Sequence, residues 1–205
     1  MSAKCCETPV SAAPGYSQVL WIALVVNALM FVVEVVAGLF AGSLSLQADA
    51  LDFLGDAGNY ALSLWAASRA LHFRARVATL KGITMGLFGL WVLARAVLGV
   101  GGGNVPYAEV MGLTGLAALL ANLGVAVLLY GYRNGDSNMR SVWLCTRNDV
   151  LGNLAVLLAA SGVFALGARW PDLLVAAVIS SLALVGAVQI LRHAKRDQES
   201  SCSSC

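Results

Sequence analysis

The feature that most constrains this chain is a series of long apolar runs separated by short polar gaps. The runs cover approximately residues 17–40, 44–68, 82–100, 107–130, 137–166 and 173–191. A helix needs about 20 apolar residues to cross the hydrocarbon core of a bilayer. Because a backbone in lipid must satisfy its own hydrogen bonds, runs of this length predict helices. The sequence therefore predicts an all-α fold, an integral membrane bundle of six transmembrane helices.

The composition agrees with lipid as the solvent. Hydrophobic residues make up 59% of the 205 residues and charged residues 12%, whereas soluble domains carry about 25% charged residues. The mean hydropathy is +0.78. All four prolines fall outside the six runs, as expected if the runs are helices. The length leaves no room for a large soluble domain, and a net charge of +2 gives no reason to expect nucleic acid as a partner.

Basic residues set the expected orientation. The segment between the second and third runs carries Arg69, Arg74, Arg76 and Lys81 and no acid, and further basic residues follow the sixth run. The positive-inside rule places these segments and both termini in the cytoplasm. We expect an N-terminal tail at residues 1–16 without a signal peptide, a six-helix transmembrane domain at 17–192, and a disordered Cys-containing tail at 193–205.

Acidic residues at membrane depth give the strongest functional signal, because such residues are costly there and by default indicate function. Asp49, Asp52 and Asp56 lie in the second run at spacings of three and four. Cys145 and Asp149 lie in the fifth run, four apart. These are helical spacings, so each set shares one helix face.

The two faces reach similar depths if the two runs are antiparallel helices. From the basic residue at the inner end of each run, Asp56 lies about 20 Å along the axis and Cys145 about 18 Å. Asp52 and Asp149 lie at about 26 Å and 24 Å by the same helical rise. The residues therefore predict that three carboxylates and one thiol meet at one level of the membrane.

Such a group is costly unless a cation or protons neutralise it. A divalent cation does so, and protons replace it when it leaves, because the same ligands bind either metal or protons. Four oxygen and sulfur ligands suit Zn²⁺ or Cd²⁺, and the thiolate disfavours Mg²⁺ and Ca²⁺. The predicted ligands are Asp52, Asp56, Cys145 and Asp149, and the predicted supporting residues are Asp49 and Asn153.

At these residues the sequence resembles the cation diffusion facilitators. Their first two spans are matched by residues between Asn27 and Asp56, and their fourth and fifth spans by residues between Asn122 and Asn153. In that family an H/D-x-x-x-D pair on the second span and an H-x-x-x-D pair on the fifth hold the ion. The corresponding positions here are Asp52 and Asp56, then Cys145 and Asp149.

The resemblance implies a secondary transporter that exports Zn²⁺, or alternatively Cd²⁺ or Co²⁺, by proton antiport. It implies no enzyme activity, no catalytic residue and no resident cofactor. The expected partners are divalent metal ions, protons and the bilayer of a bacterial inner membrane, and a homodimer is left open. Two departures matter: Cys145 stands where histidine is usual, and no C-terminal cytoplasmic domain of the family's ferredoxin-like type is matched.

Other interpretations of the same residues stay open. Asp49 is also compatible with a cap at the start of the second helix, and Glu34 with either a proton carrier or an ion-pair partner of Arg95. Four asparagines are expected to hydrogen-bond between helices, namely Asn27, Asn59, Asn122 and Asn153.

Two other functions compete with export. One is a metal importer or carrier that receives thiophilic ions through Cys5 and Cys6, since residues do not reveal the direction of flux. The other is a membrane thiol oxidoreductase, which would need cysteine pairs at the outer surface. The cysteine pairs here lie in the two tails, both expected in the cytoplasm.

Overall fold

The computed structural model describes residues 15–66, 71–99, 104–133 and 137–202. Within these ranges the chain forms α-helices and no strand, which confirms the predicted all-α membrane bundle. The six helices are α1 (Tyr16–Ala41), α2 (Leu44–Ala66), α3 (Leu71–Leu98), α4 (Ala108–Tyr130), α5 (Ser137–Leu166) and α6 (Trp170–Cys202). Cys5, Cys6 and Cys205 lie outside the described residues.

Two helices are longer than the apolar runs that predicted them. Helix α3 begins at Leu71 and α6 ends at Cys202, because an apolar run marks only the part of a helix that lies in lipid. The polar segment expected to be disordered after Arg192 is helical in the structure. Its residues include Lys195, Gln198 and Glu199, which are good helix formers, so the helix continues beyond the apolar core.

The bundle turns its most apolar side chains outward and its polar ones inward, as a membrane protein must. On α1 the buried residues include Ala23, Asn27, Glu34 and Gly38. The large apolar side chains of the same helix are exposed, among them Trp21, Val25, Leu29, Val32 and Val36. Exposed apolar surface on this scale is costly in water and favourable in lipid. The chain is therefore a multi-pass membrane protein.

Four helical segments are long and apolar enough to cross a membrane, and a shorter apolar segment covers Gly82–Leu98 of α3. The four are α1, α4, Asp149–Leu166 of α5 and Trp170–Arg192 of α6. Helix α2 is less apolar because it carries three aspartates, and it packs against all five other helices. It is therefore the central helix of the bundle and meets protein rather than lipid on its polar side.

The turn between α1 and α2 fixes where α2 begins. Gly42 has φ 67°, a left-handed conformation that favours glycine, and the Ser43 N–H donates to the Gly38 carbonyl at 2.9 Å. A Cβ on Gly38 would lie only 2.9 Å from Cγ of Gln47. The lack of a side chain at Gly38 thus lets α1 and α2 approach closely, and this sets the register of their buried faces.

Two apolar clusters close the bundle on either side of its polar middle. The outer cluster lies at the α1–α2 turn and includes Leu44, Leu46, Val92, Val156 and Leu173. The inner cluster lies at the end nearer the basic segment after α2, and its buried members are Tyr16, Leu20, Ala23, Tyr60, Val125 and Leu129. The acidic residues of α1, α2 and α5 lie between the two clusters.

Candidate functional site

The polar middle of α2 is one continuous helix face. Asp49, Asp52, Asp56 and Tyr60 follow one another at spacings of three, four and four, so their side chains share that face. Asp49 is 1% exposed and Asp56 is 7% exposed, whereas Asp52 is half-buried. The spacing predicted from the sequence thus places three carboxylates in the interior of the bundle.

Helix α5 runs antiparallel to α2 and faces it residue by residue. Tyr60 and Thr146 are joined by a hydrogen bond of 2.7 Å between their hydroxyl oxygens. One turn further out, Asp149 lies against Asp56 and near Asp52. Beyond that level, a Cβ on Gly152 would lie 3.7 Å from Oδ2 of Asp52. The structure therefore brings Asp52, Asp56 and Asp149 near one another from two antiparallel helices.

A third helix contributes a further acid. Glu34 of α1 is 0% exposed, and its carboxyl lies close enough to Asp49 to share a hydrogen bond when one of the two is protonated. Neither Glu34 carboxylate oxygen has a hydrogen-bond partner, nor do Oδ2 of Asp49 and Oδ2 of Asp149. An unpaired buried charge is very costly. Binding of a proton or a cation at these four oxygens would therefore be favourable.

The open question about Glu34 and Arg95 is settled by these neighbours. The Arg95 guanidinium lies 5.6 Å from the ring centre of Trp91, on its own helix, and Arg95 is exposed. Glu34 instead faces Asp49 and Asp52. An ion pair between Glu34 and Arg95 is therefore the wrong interpretation. Glu34 belongs to a set of interior acids that we call the acidic face, namely Glu34, Asp49, Asp52, Asp56 and Asp149.

The alternative in which Asp49 caps α2 is also wrong. Helix α2 begins at Leu44, and the Leu46 N–H donates to Oγ of Ser43 at 3.2 Å, so Ser43 is the N-cap. Asp49 lies more than one turn inside the helix. Its carboxylate is consequently free of any capping role and faces the interior beside Glu34.

Two asparagines do not form the expected bonds between helices. The Asn153 amide donates to the Asp149 carbonyl at 2.8 Å, and the Asn27 amide donates to the Ala23 carbonyl at 2.8 Å. Both bonds stay within one helix. The Oδ1 atoms of Asn27, Asn122 and Asn153 are buried and have no hydrogen-bond partner. The Asn153 Oδ1 atom therefore faces the interior one turn from Asp149, whereas its N–H group donates within α5.

Cys145 lies on α5, but its side chain is outside the described part of the structure. Helical spacing puts Cys145 on the same face of α5 as Asp149. Among the side chains that the structure describes, no three of the His, Cys, Asp or Glu type are arranged closely enough to hold a metal ion. The carboxylates are neighbours across two helices rather than a finished coordination sphere.

Sequence reasoning missed two groups of residues at and beyond this site. Tyr60 and Thr146 bridge α2 and α5 at the inner end of the acidic face. Tyr60 follows Asp56 by four residues, and that spacing was the available signal. At the outer end, Asp172 accepts hydrogen bonds from the Ser43 hydroxyl and from two N–H groups of α2. No local pattern announces this second contact, because it joins the beginnings of α2 and α6.

Comparison with known proteins agrees with this arrangement. The family model described as the cation efflux transmembrane domain matches residues 20–197. The chain is 28% identical over 194 residues to the "Zinc transporter ZitB" of Pectobacterium atrosepticum, with 87% of this chain and 60% of the relative covered. It is 25% identical over 183 residues to the "Cadmium, cobalt and zinc/H(+)-K(+) antiporter" of Bacillus subtilis, with coverage of 82% and 58%.

A third relative, the "Zinc transporter ZitB" of Yersinia pestis, is 29% identical over 195 residues, with 86% of this chain and 61% of the relative covered. The chain thus spans about 60% of the length of these relatives. The matched part contains α2 to α5 and most of α1 and α6, so it includes the acidic residues of α2 and α5. The family model covers most of the chain, so the chain belongs to the cation efflux family, the cation diffusion facilitators.

Proposed function

We propose that this protein exports a divalent transition-metal cation from the cytoplasm across a bacterial inner membrane. The observation that carries the proposal is that Asp149 of α5 lies against Asp56 and near Asp52 of the antiparallel helix α2, in the interior of the bundle. Asp149 brings a carboxylate with an unsatisfied buried Oδ2 atom against a second carboxylate, and a transported metal ion supplies the positive charge that such a cluster favours. The family of the chain and the names of its relatives support a metal ion as the substrate.

The ligands in this proposal are Asp52, Asp56, Cys145 and Asp149. Asp49 and Asn153 support them from one turn further out, where each has a buried oxygen without a partner. Binding draws the Asp56 and Asp149 carboxylates, which already lie side by side, around the ion. Because the set combines oxygen and sulfur, Zn²⁺ and Cd²⁺ suit it best, with Co²⁺ as a further candidate.

Proton exchange follows from the same residues. When the ion leaves, Asp56 and Asp149 lie too close to carry two negative charges, so protons must replace the metal. The Glu34–Asp49 pair adds a second place where a carboxylate and a carboxylic acid share a hydrogen bond. One metal ion leaving and protons entering therefore constitute an antiport, and no enzymatic step is needed.

Transport by purified protein in proteoliposomes tests the proposal. We expect uptake of Zn²⁺ into vesicles whose interior is acidic, accompanied by alkalinisation of the lumen that a trapped pH dye reports. The matched control is Asp149→Ala, which removes one carboxylate and keeps the Tyr60–Thr146 hydrogen bond between α2 and α5. Equal metal flux by wild type and Asp149→Ala, or flux without proton movement, would contradict the proposal. Isothermal titration with Zn²⁺, Cd²⁺, Co²⁺, Mn²⁺ and Ni²⁺ then ranks the ions.

Direction of flux separates export from the alternative of a metal importer or carrier. Cells that express an exporter accumulate less metal than cells that express Asp149→Ala, whereas an importer gives the opposite result. Metal content measured on washed cells by mass spectrometry distinguishes the two. The thiol oxidoreductase gains no support from the described residues, because the buried polar groups between the helices are carboxylates, amides and hydroxyls.

A further inference from the structure

Tyr60 is the largest fully buried side chain in the described structure, and it lies where the inner apolar cluster meets the acidic face. Its ring packs with the cluster, beside Leu20 of α1 and Leu129 of α4. Its hydroxyl points the other way, to Oδ2 of Asp56 at 3.0 Å. A buried phenol normally needs a hydrogen-bond partner, and here that partner is one of the candidate metal ligands.

The hydroxyl of Tyr60 also bonds to the hydroxyl of Thr146 on α5, at 2.7 Å. A hydroxyl has a single proton to donate. Because the Tyr60 proton is directed to Asp56, the Thr146 hydroxyl donates to the Tyr60 oxygen. The three groups form a directed chain from α5 through the phenol to the carboxylate, and Thr146 and Tyr60 are 0% and 1% exposed.

This chain of hydrogen bonds has a consequence for metal binding. Groups that hydrogen-bond to a metal ligand fix its orientation, and their loss commonly weakens metal binding about 10- to 100-fold. The Tyr60 hydroxyl occupies one lone pair on Oδ2 of Asp56 and holds the plane of that carboxylate. Thr146 in turn bonds the phenol to α5, the helix that carries Asp149. This bond helps to fix the distance between α2 and α5 next to the site.

We propose that Tyr60 is a positioning residue for metal transport: supported by Thr146, it orients the Asp56 carboxylate toward the ion and ties α2 to α5 at the inner end of the site. This inference rests on the proposed function, and it adds a residue that the H/D-x-x-x-D pattern does not contain. In this proposal Tyr60 is not a metal ligand and acts on the ion through Asp56.

The test is Tyr60→Phe, which removes the hydroxyl and keeps the ring in the inner cluster. The matched control is Tyr16→Phe, the same change at another buried tyrosine of that cluster. Zn²⁺ affinity is measured by isothermal titration of the full-length protein in lipid nanodiscs, with Asp56→Ala defining any heat that comes from thiols in the tails. We expect Tyr60→Phe to raise the Kd about tenfold or more, and Tyr16→Phe to leave it within twofold.

Thr146 supplies the second arm of the test. Thr146→Val keeps the shape but removes the donor, and we expect a smaller rise in Kd, whereas Thr146→Ser restores the hydroxyl and the wild-type Kd. The melting temperature of each variant is measured in parallel. A Tyr60→Phe protein that melts lower but binds Zn²⁺ with unchanged Kd would overturn the positioning role and leave only a structural one.

Failure of this inference and failure of the proposed function give different results. If the wild-type protein shows no Zn²⁺ binding beyond that of Asp56→Ala, the metal site itself is wrong. If wild type binds and Asp56→Ala does not, the site stands, and only the Tyr60→Phe result decides the present proposal. Equal Kd values for wild type and Tyr60→Phe then refute it.

Discussion

Two regions of this protein contain buried carboxylates, and they differ in whether those carboxylates are hydrogen-bonded. At the outer end, Asp172 of α6 is 0% exposed and accepts bonds from the Ser43 hydroxyl at 2.7 Å and from the Leu44 and Ser45 N–H groups at 2.9 Å. In the acidic face, Glu34 is equally buried, yet neither of its oxygens has a partner. The same chemical group is saturated in one place and unsatisfied in the other.

The difference separates a structural role from a functional one. Asp172 adds an acidic cap to the N-terminus of α2, where the helix dipole and free N–H groups favour a negative charge. It thereby fixes the outer end of the helix that carries the site. Glu34 gains nothing from its buried carboxylate in the fold alone, because an unpaired buried charge destabilises. A ligand or a proton explains its presence.

The largest effect is expected from removing a carboxylate of the acidic face. Asp52→Ala, Asp56→Ala and Asp149→Ala should each abolish metal tolerance in a metal-sensitive host, because no other described side chain can replace the lost ligand. Insertion into the membrane should persist. For Asp149→Ala, the unfolding free energy should stay level or rise, since the removed carboxyl lies against two other acids, Asp56 and Asp52, and its Oδ2 atom has no hydrogen-bond partner. Full metal tolerance in cells that express Asp56→Ala would contradict the assignment of a metal site to these residues.

The second largest effect is expected from removing Asp172, which caps the outer end of α2. Asp172→Ala leaves the Leu44 and Ser45 N–H groups and the Ser43 hydroxyl without their acceptor. We expect a loss of about 2–4 kcal/mol in unfolding free energy, read from denaturant unfolding in detergent. Asp172→Asn keeps one acceptor oxygen and should lose less. Unchanged stability together with a lost metal site would reverse the roles assigned to the two regions.

The two regions also differ in how far the sequence predicts them. The acidic faces of α2 and α5 follow from helical spacing, and the level at which Asp149 meets Asp52 and Asp56 follows from the rise per residue. Both quantities are local, so they can be read from the chain. Glu34 stayed ambiguous because its partner depends on how α1 packs on α2, and the close contact at Gly38 decides that.

The outer region could not be predicted for a related reason. The hydrogen bond between Ser43 and Asp172 joins residues 129 positions apart, and an acid near the start of a helix ordinarily suggests a role in its own helix. Likewise, Tyr60 and Thr146 are 86 positions apart in the chain, and the bond between them depends on the register of α2 against α5. Long-range register is a property of the packed bundle, so these residues became visible only in the structure.

A smaller effect is expected from replacing Cys145, the soft sulfur ligand of the proposed site. Cys145→His restores the histidine that the family usually has at this position, on the same helix face as Asp149. Transport should persist, with the preference shifted from Cd²⁺ toward Zn²⁺, because imidazole is a harder ligand than thiolate. Cys145→Ser should lose most binding of both ions. Competitive uptake into proteoliposomes measures the preference, and an unchanged ratio in both variants would mean that Cys145 does not touch the ion.

The smallest effect, but the sharpest contrast, comes from making the same carboxyl-to-amide change in both regions. Asp172→Asn replaces an acceptor that is fully used with a donor that has no acceptor, so stability falls. Glu34→Gln instead replaces a carboxyl group whose oxygens have no hydrogen-bond partner with an amide that has a permanent N–H donor facing Asp49. We expect Glu34→Gln to raise the unfolding free energy by about 1 kcal/mol, a sign opposite to that of Asp172→Asn. Glu34→Met, of similar length but without a donor, should gain less. If Glu34→Gln loses as much stability as Asp172→Asn, Glu34 is a structural acid like Asp172, and the distinction between the two regions fails.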